Sequence, residues 1–245
     1  MARLFVLPER LQDETVVLAG EDHRYLIRVL RLRVGDEVVL FDGAGQEARA
    51  RIERVGPRAA ELRVLERTAS PAAAGPEITL LVGIPKGDKM ELVVQKATEL
   101  GATRIVPMRT ARSIGPAEIT RQAARRQRWI KIAREAARQC GRNDVPDVAA
   151  PVELAAAIAA APQDALRLLF WEESRGVRLR DRLPAERPAR IVVAVGPEGG
   201  FEASEVEIAR QAGFEVVGLG PRTLRAETAA LAVLAVVGYA VGDLG

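Results

Sequence analysis

The chain has 245 residues, is 48% hydrophobic and 28% charged, and carries a formal net charge of +3, which suits one or two packed cores. A single cysteine, Cys140, and a single histidine, His23, exclude an internal disulfide and a Cys-rich zinc site, and speak against a His-based metal centre or a Ser-His-Asp triad. The start Met1-Ala2-Arg3-Leu4-Phe5 lacks the apolar core of a signal peptide, and the most apolar stretch, Thr228 to Val241, falls short of the ~20 residues that cross a bilayer, so a soluble cytoplasmic protein is expected.

In chain order, residues 1–70 read as β. Thr15–Leu18, Glu37–Phe41, Ala48–Val55 and Ala60–Leu65 are short and partly alternating, and Asp42-Gly43 is a turn signal. His23–Leu32 interrupts them with a helical period. Ser70-Pro71-Ala72-Ala73-Ala74-Gly75-Pro76 has linker composition, and the domain boundary is placed there, giving domains 1–72 and 73–245. Beyond it the pattern changes. Strands are predicted at Ile78–Ile84, Arg104–Pro107, Leu166–Trp171, Ile191–Val195 and Glu215–Leu219. Helices are predicted at Asp88–Leu100, Ala117–Cys140 (a long basic helix or a helix pair), Val152–Ala160, Ser204–Ala212 and Ala226–Val241, with Ser204 and Glu207 spaced as a capping box. This alternation implies an α/β domain with a mostly parallel sheet covered on both faces.

Between Arg104 and Arg142 basic residues are opposed only by Glu118 and Glu135. Such a field attracts polyanions, RNA among them; a solvated helix face is the alternative. The last helix is apolar nearly all round from Ala229 to Val237. It is either a central core helix or one that also packs on a second copy of the chain.

Two glycine-bearing loops carry most of the functional information. Val195-Gly196-Pro197-Glu198-Gly199-Gly200-Phe201 and Leu219-Gly220-Pro221-Arg222-Thr223-Leu224-Arg225-Ala226-Glu227-Thr228 each follow a buried strand and precede a helix. Open α/β sheets bind ligands at such strand ends. Neither loop has the residues of a P-loop or of G-x-G-x-x-G, so neither is built to cradle a diphosphate. Their glycines admit a ligand close to the backbone, and Pro197 and Pro221 stiffen them; two ordinary βα turns remain the plain alternative. Arg225 stands at the start of the last helix, where a cation is mildly disfavoured. Either Glu227 pairs with it, or it faces an anion in the crevice.

Taken together these loops closely resemble the 16S rRNA uridine-N3 methyltransferases of the SPOUT class. The likeness extends to Lys86-Gly87-Asp88-Lys89-Met90, Gln95–Gly101, Arg112-Ser113 and Gln139-Cys140-Gly141-Arg142-Asn143. In the first domain it reaches Arg3, His23, Val29-Leu30-Arg31, Gly35 and Asp42-Gly43. The resemblance implies an N-terminal PUA-like β-barrel that helps bind RNA, followed by a SPOUT α/β domain with a C-terminal trefoil knot. It implies a homodimer through the C-terminal domain, S-adenosyl-L-methionine as cofactor, no metal, and 16S rRNA or the small ribosomal subunit as partner. It places the cofactor among Phe170, Trp171, Glu172, Val195, Gly196, Pro197, Glu198, Gly199, Gly200, Leu219, Gly220, Leu224 and Thr228.

Methylation of N3 requires loss of the imino proton, which spreads charge onto O2 and O4 of the base. Arg225 is the candidate catalytic cation for that charge. Glu198 is read either as a solvent-facing turn residue or as a contact to ribose hydroxyls or the proton. RNA contacts are expected from Arg125, Arg126 and Arg128 on the basic helix and from Arg3, His23 and Arg31 in the barrel, a packed imidazole being the alternative for His23. Cys140 reads as a small hydrophobe. The rivals are a SPOUT enzyme with another target atom and a non-catalytic RNA-binding assembly factor.

Overall fold

The computed structural model describes residues 1–69, 75–113, 122–174, 176–177, 179–183 and 186–244. They divide into two units: Met1–Ala73 with Ala137–Val145, and Ala74–Ala136 with Pro146–Gly245. The first unit thus includes a segment distant in sequence, which the linear reading assigned to the second domain.

The first unit is built on β1 (Ala2–Phe5), β2 (Thr15–Ala19), β3 (Glu37–Phe41), β4 (Gln46–Val55) and β5 (Ala59–Ala69). They form one sheet in the order β1-β3-β4-β5-β2, with β1 parallel to β3 and the other pairs antiparallel. Two register shifts interrupt the β4–β5 ladder. Alternation sends Val16, Leu18, Val38, Leu40, Ala50, Ile52 and Leu62 into one apolar core with Leu4 and Leu26. β1 is absent from the sequence reading because four residues interrupted by an arginine carry too little periodicity. A short helix α1 (Pro8–Leu11) follows it. The expected helix over His23–Leu32 is instead α2 (Gly20–Arg24) running into a π-helical turn at Tyr25–Val29. The chain leaves it through Arg31, whose φ of 56° is the left-handed value that a side chain rarely adopts.

The second unit carries a parallel sheet of β6 (Glu77–Gly83), β7 (Arg104–Arg109), β8 (Asp147–Val148), β9 (Val152–Glu153), β10 (Leu166–Phe170), β11 (Arg190–Val195) and β12 (Glu215–Val217). Its order is β12-β10-β11-β6-β7-β8, with β9 also on β7. Ile78, Leu80, Leu81 and Val82 and the run Ile191–Val195 lie buried, as strands covered on both faces require. The helices are α3 (Lys89–Glu99), α4 (Gln122–Cys140, of which residues 137–140 belong to the first unit), α5 (Leu154–Ala159), α6 (Ala203–Gln211) and α7 (Ala226–Ala240). The expected start of the basic helix at Ala117 lies outside the described residues. Val152, expected in a helix, pairs in β9 instead.

The cap of α6 is shifted from the expected Ser204 and Glu207. Glu202 is the N-cap and Glu205 the third helical residue of a reciprocal capping box. A glutamate at the N-cap is uncommon, so a search for Ser, Thr, Asp or Asn picks the next hydroxyl. Glu205 is buried, donors reaching it from the N–H groups of Glu202 at 2.9 Å and Ala111 at 2.8 Å.

α7 packs on α3, β11 and β6. It buries Ala226, Ala230, Val233, Leu234 and Val237, whereas Val236 and Tyr239 are 48% and 75% exposed. Among the described residues no helix is long and apolar enough to cross a membrane.

Candidate cofactor site and its surroundings

β12, β10 and β11 are neighbouring parallel strands although they are not consecutive in that order along the chain. The chain reaches β11 on one side of β10 and then returns to β12 on the other. Their C-terminal ends therefore open a crevice, closed on a third side by the start of α7. Phe170, Trp171 and Glu172 form its wall from β10, Val195, Gly196, Pro197, Glu198 and Gly200 the wall from β11. Leu219, Gly220, Arg222, Thr223, Leu224, Ala226 and Ala229 complete it after β12. The crevice continues past Glu172 and Gly220 into a wider hollow beside Glu173, Ser174 and Pro221.

The glycines are required by close approaches. A Cβ on Gly196 would stand 3.1 Å from the Gly200 backbone. Gly200 has φ +69°, and a Cβ there would overlap the Glu172 carboxylate. Gly83, at the end of β6, lies under Pro197, where any side chain would overlap the proline. By contrast, a Cβ on Gly220 would meet nothing within 4 Å, so the backbone there faces open space.

The glycine loop after β11 is fastened from two sides. The Lys86 main-chain N–H donates to both Glu198 carboxylate oxygens, at 3.0 and 3.2 Å, and Lys89 Nζ donates to Oε1 at 2.8 Å. From the other side, Arg112 Nη1 donates to the Gly199 carbonyl at 2.8 Å. Burial acts to raise the pKa of the Glu198 carboxyl. Hydrogen bonds from Lys89, its own N–H and Lys86, with the lysine charge, outweigh burial and hold it below the ordinary 4.5. The Lys89 ammonium is raised, first through its hydrogen bond to Glu198. Glu198 thus lines the crevice, but its carboxylate is already committed to the loop, which disfavours it as a proton acceptor.

Arg225 is the N-cap of α7, with extended ψ of 152° and no side-chain cap. The Arg225–Glu227 pair that the sequence left open is not formed. Glu227 instead has Oε2 3.6 Å from Lys89 Nζ. The Arg225 carbonyl accepts from the Ala229 N–H at 2.8 Å, whereas its side chain is exposed and, among the described residues, has no hydrogen bond or ion pair.

Most residues expected around the cofactor are brought together in this one crevice. Gly199, Arg225 and Thr228 neighbour lining residues in the chain but are not in the wall themselves. Gly199 turns its carbonyl to Arg112. Thr228 lies between Ala226 and Ala229, which share a helix face by their i,i+3 spacing and leave Thr228 on another. Gly83, Lys89 and Arg112 were missed as site residues. Lys89 and Arg112 stood in motifs quoted for the resemblance, but charge alone gave them no role.

The residues expected to contact RNA are scattered. Arg126 Nε donates to the Val148 carbonyl at 2.8 Å, and Arg128 pairs with Glu91 at 2.7 Å. Arg125 also has a partner. In the first unit Arg3 is 18% exposed; it donates to Glu47 at 3.0 Å, to the Arg142 carbonyl at 3.3 Å and to the Asn143 side chain, and lies over the Phe41 ring. His23 is buried, its Nε2 donating to the Gly56 carbonyl at 3.0 Å, which is the packed imidazole of the sequence reading. Arg31 is exposed. Cys140, read as a small hydrophobe, is exposed instead, because it falls on the outer side of the last turn of α4.

The crevice suits an adenosyl ligand. Phe170, Trp171, Leu219, Leu224 and the two alanines of α7 offer apolar walls to a purine, and the open backbone at Gly220 offers main-chain polar groups. The Trp171 indole N–H is buried without an acceptor among the described residues, a donor left for a partner not in the chain.

The chain is similar to known RNA methyltransferases. The sequence profile of a family described as an RNA methyltransferase domain matches residues 73–238, and one described as an RNA methyltransferase PUA domain matches residues 18–65. The ribosomal RNA small subunit methyltransferase E of Bacillus subtilis is 32% identical, over 98% of this chain and 96% of that protein. The protein of the same name from Synechocystis is 36% identical, over 95% of this chain and 76% of that protein. The crystal structure of a ribosomal RNA small subunit methyltransferase E from Neisseria gonorrhoeae, bound to S-adenosyl methionine, superimposes with a TM-score of 0.88 at 35% identity, covering 98% of each chain.

Proposed function

The chain belongs to the RNA methyltransferase domain family, and from that premise we propose that it methylates N3 of a uridine in 16S rRNA of the small ribosomal subunit, using S-adenosyl-L-methionine. The cofactor supplies a methyl group activated by a sulfonium, so the chain's task is alignment and charge control. Phe170, Trp171, Leu219 and Leu224 would hold the adenosine, with the backbone of Gly196, Gly200 and Gly220 offering main-chain polar groups to it.

The observation that carries this reading is the unpaired Arg225 at the start of α7, beside the crevice. As the imino proton passes to water, negative charge develops on O2 and O4 of the base. A preorganised guanidinium lowers the energy of that charge as it forms. N3 is hidden in a base pair, so the uridine is taken unpaired or flipped out. The exposed Arg31 and the field of α4 hold the RNA backbone.

The same proposal takes the return from β11 to α7 as a trefoil knot and β1–β5 as a PUA-like barrel. It also takes Val236 and Tyr239 of α7 as part of a homodimer face, tested by sedimentation of Tyr239→Glu, which is expected to be monomeric. The deciding experiment is methyl transfer onto 30S particles and free 16S rRNA, with the modified nucleoside identified by mass spectrometry. N3-methyluridine is the expected product; a ribose-methylated nucleoside, another base or no transfer overturns the assignment. Arg225→Ala is expected to slow the single-turnover rate about a hundredfold.

A further inference from the structure

We propose that Lys89 is a positioning residue: by engaging Glu198 and Glu227 together it keeps the Arg225 guanidinium unpaired at the crevice. The inference rests on Arg225 being the cation that stabilises the base.

The argument is one of charge partition. Two carboxylates stand at this side of the crevice. Glu198 lines it, as do Leu224 and Ala226 on either side of Arg225, and Glu227 is the second residue of α7. Lys89 stands within ion-pair reach of both, and Arg225 precedes Glu227 by two residues in the chain. Simple pairing would give each cation one carboxylate, and Glu227, two residues on, is the obvious partner for Arg225. The observed arrangement is unequal: Lys89 Nζ reaches Glu198 Oε1 at 2.8 Å and Glu227 Oε2 at 3.6 Å, and Arg225 takes neither.

The two carboxylates do not depend on Lys89 equally. Glu198 also accepts two hydrogen bonds from the Lys86 N–H and stays anchored without the lysine. Glu227 does not. Its side chain is 12% exposed, and Oε2 is buried with no hydrogen bond, so Lys89 is its only counter-charge among the described residues. Take away the ammonium, and a poorly solvated carboxylate is left two residues along the chain from an unpaired guanidinium. A buried unpaired charge is costly enough to recruit the nearest cation. Arg225 at the N-cap is outside the helical turn, with a long side chain free to fold back. A guanidinium already neutralised by Glu227 has less to offer a developing enolate-like oxygen.

The full-length chain is assayed by single-turnover methyl transfer at saturating RNA and S-adenosylmethionine, with cofactor binding measured by calorimetry. Lys89→Met and Lys89→Gln are expected to lose tenfold or more in rate, approaching the about hundredfold loss of Arg225→Ala. The decisive variant is Lys89→Met with Glu227→Gln, expected to return to within about threefold of the wild-type rate, a strong non-additivity. A lysine that merely braces the loop would not be rescued by removing a second charge. A wild-type rate in Lys89→Met, or an unrescued loss in the double variant, overturns the proposal. Adding Lys89→Met to Arg225→Ala is expected to cost nothing further, and an additive loss overturns it too. Failure of the underlying reading is separately visible, as a wild-type rate in Arg225→Ala alone.

Discussion

Arg112 and Gly199 are joined by a 2.8 Å hydrogen bond from the guanidinium to the glycine carbonyl, tying the end of β7 to the loop that follows β11. The Arg112 stem also packs 3.0 Å from where a Gly199 side chain would start. A distant arginine thus shapes one wall of the crevice without lining it.

Arg112→Ala is expected to weaken S-adenosylmethionine binding about fivefold, as a charge-assisted hydrogen bond of half-exposed geometry is worth about 1 kcal/mol. Titration calorimetry measures it. Unchanged affinity would mean the loop holds its shape through Glu198 alone.

Gly83→Ala tests the floor of the same loop. The new methyl overlaps the Pro197 ring, and the overpacking costs about 1–3 kcal/mol. A melting temperature lowered by roughly 5 °C is expected in calorimetry, together with lost cofactor affinity. An alanine tolerated without either change would show Pro197 free to lift.

The Lys89–Glu198 bridge sets an expectation for pH. The Glu198 carboxyl is held below its ordinary 4.5, so its contribution is present above that value and is lost as pH falls through the lower folded one. The Lys89 ammonium is held above its ordinary 10.5, so its contribution is present below that value and is lost as pH rises through the higher folded one. Folding stability is therefore expected to be flat between these limits as far as this pair is concerned. Calorimetric unfolding over that range checks it, and a break that disappears in Glu198→Gln would contradict it.

Arg3→Ala is expected to destabilise the first unit by about 2 kcal/mol, the scale of a partly buried, charged hydrogen-bond cluster. Arg3→Lys is expected to recover only part, because a lysine lacks the planar fork that serves Glu47 and Asn143 together. Denaturant unfolding followed by amide exchange at β1 and β3 measures both.

The parallel sheet was legible because long buried runs such as Ile191–Val195 announce strands without any partner information. The glycine loops were legible for a related reason: glycine and proline reveal backbone demands locally. Charge partners were not. Whether Glu227 turns to Arg225 or to Lys89 depends on α3 packing against α7, a contact between residues far apart in the chain. Arg3 and Arg126 show the same limit, because a basic residue's sequence neighbours do not reveal whether its hydrogens go to solvent, to RNA or to a distant carbonyl. The π-helical turn at Tyr25–Val29 left no compositional trace separating it from an ordinary helix.

Residues 137–145 carry a practical lesson for dissecting this polypeptide. Gly43 and Ala44 bridge to Asp144, the Val145 N–H donates to the Gly43 carbonyl at 2.9 Å, and Arg138 stacks 4.0 Å over Tyr25. A truncation ending at the alanine–proline connector would strip the amino-terminal fold of these ties and remove the Arg142 carbonyl and Asn143 side chain that Arg3 donates to. An autonomous version requires that nonapeptide to be grafted back onto it.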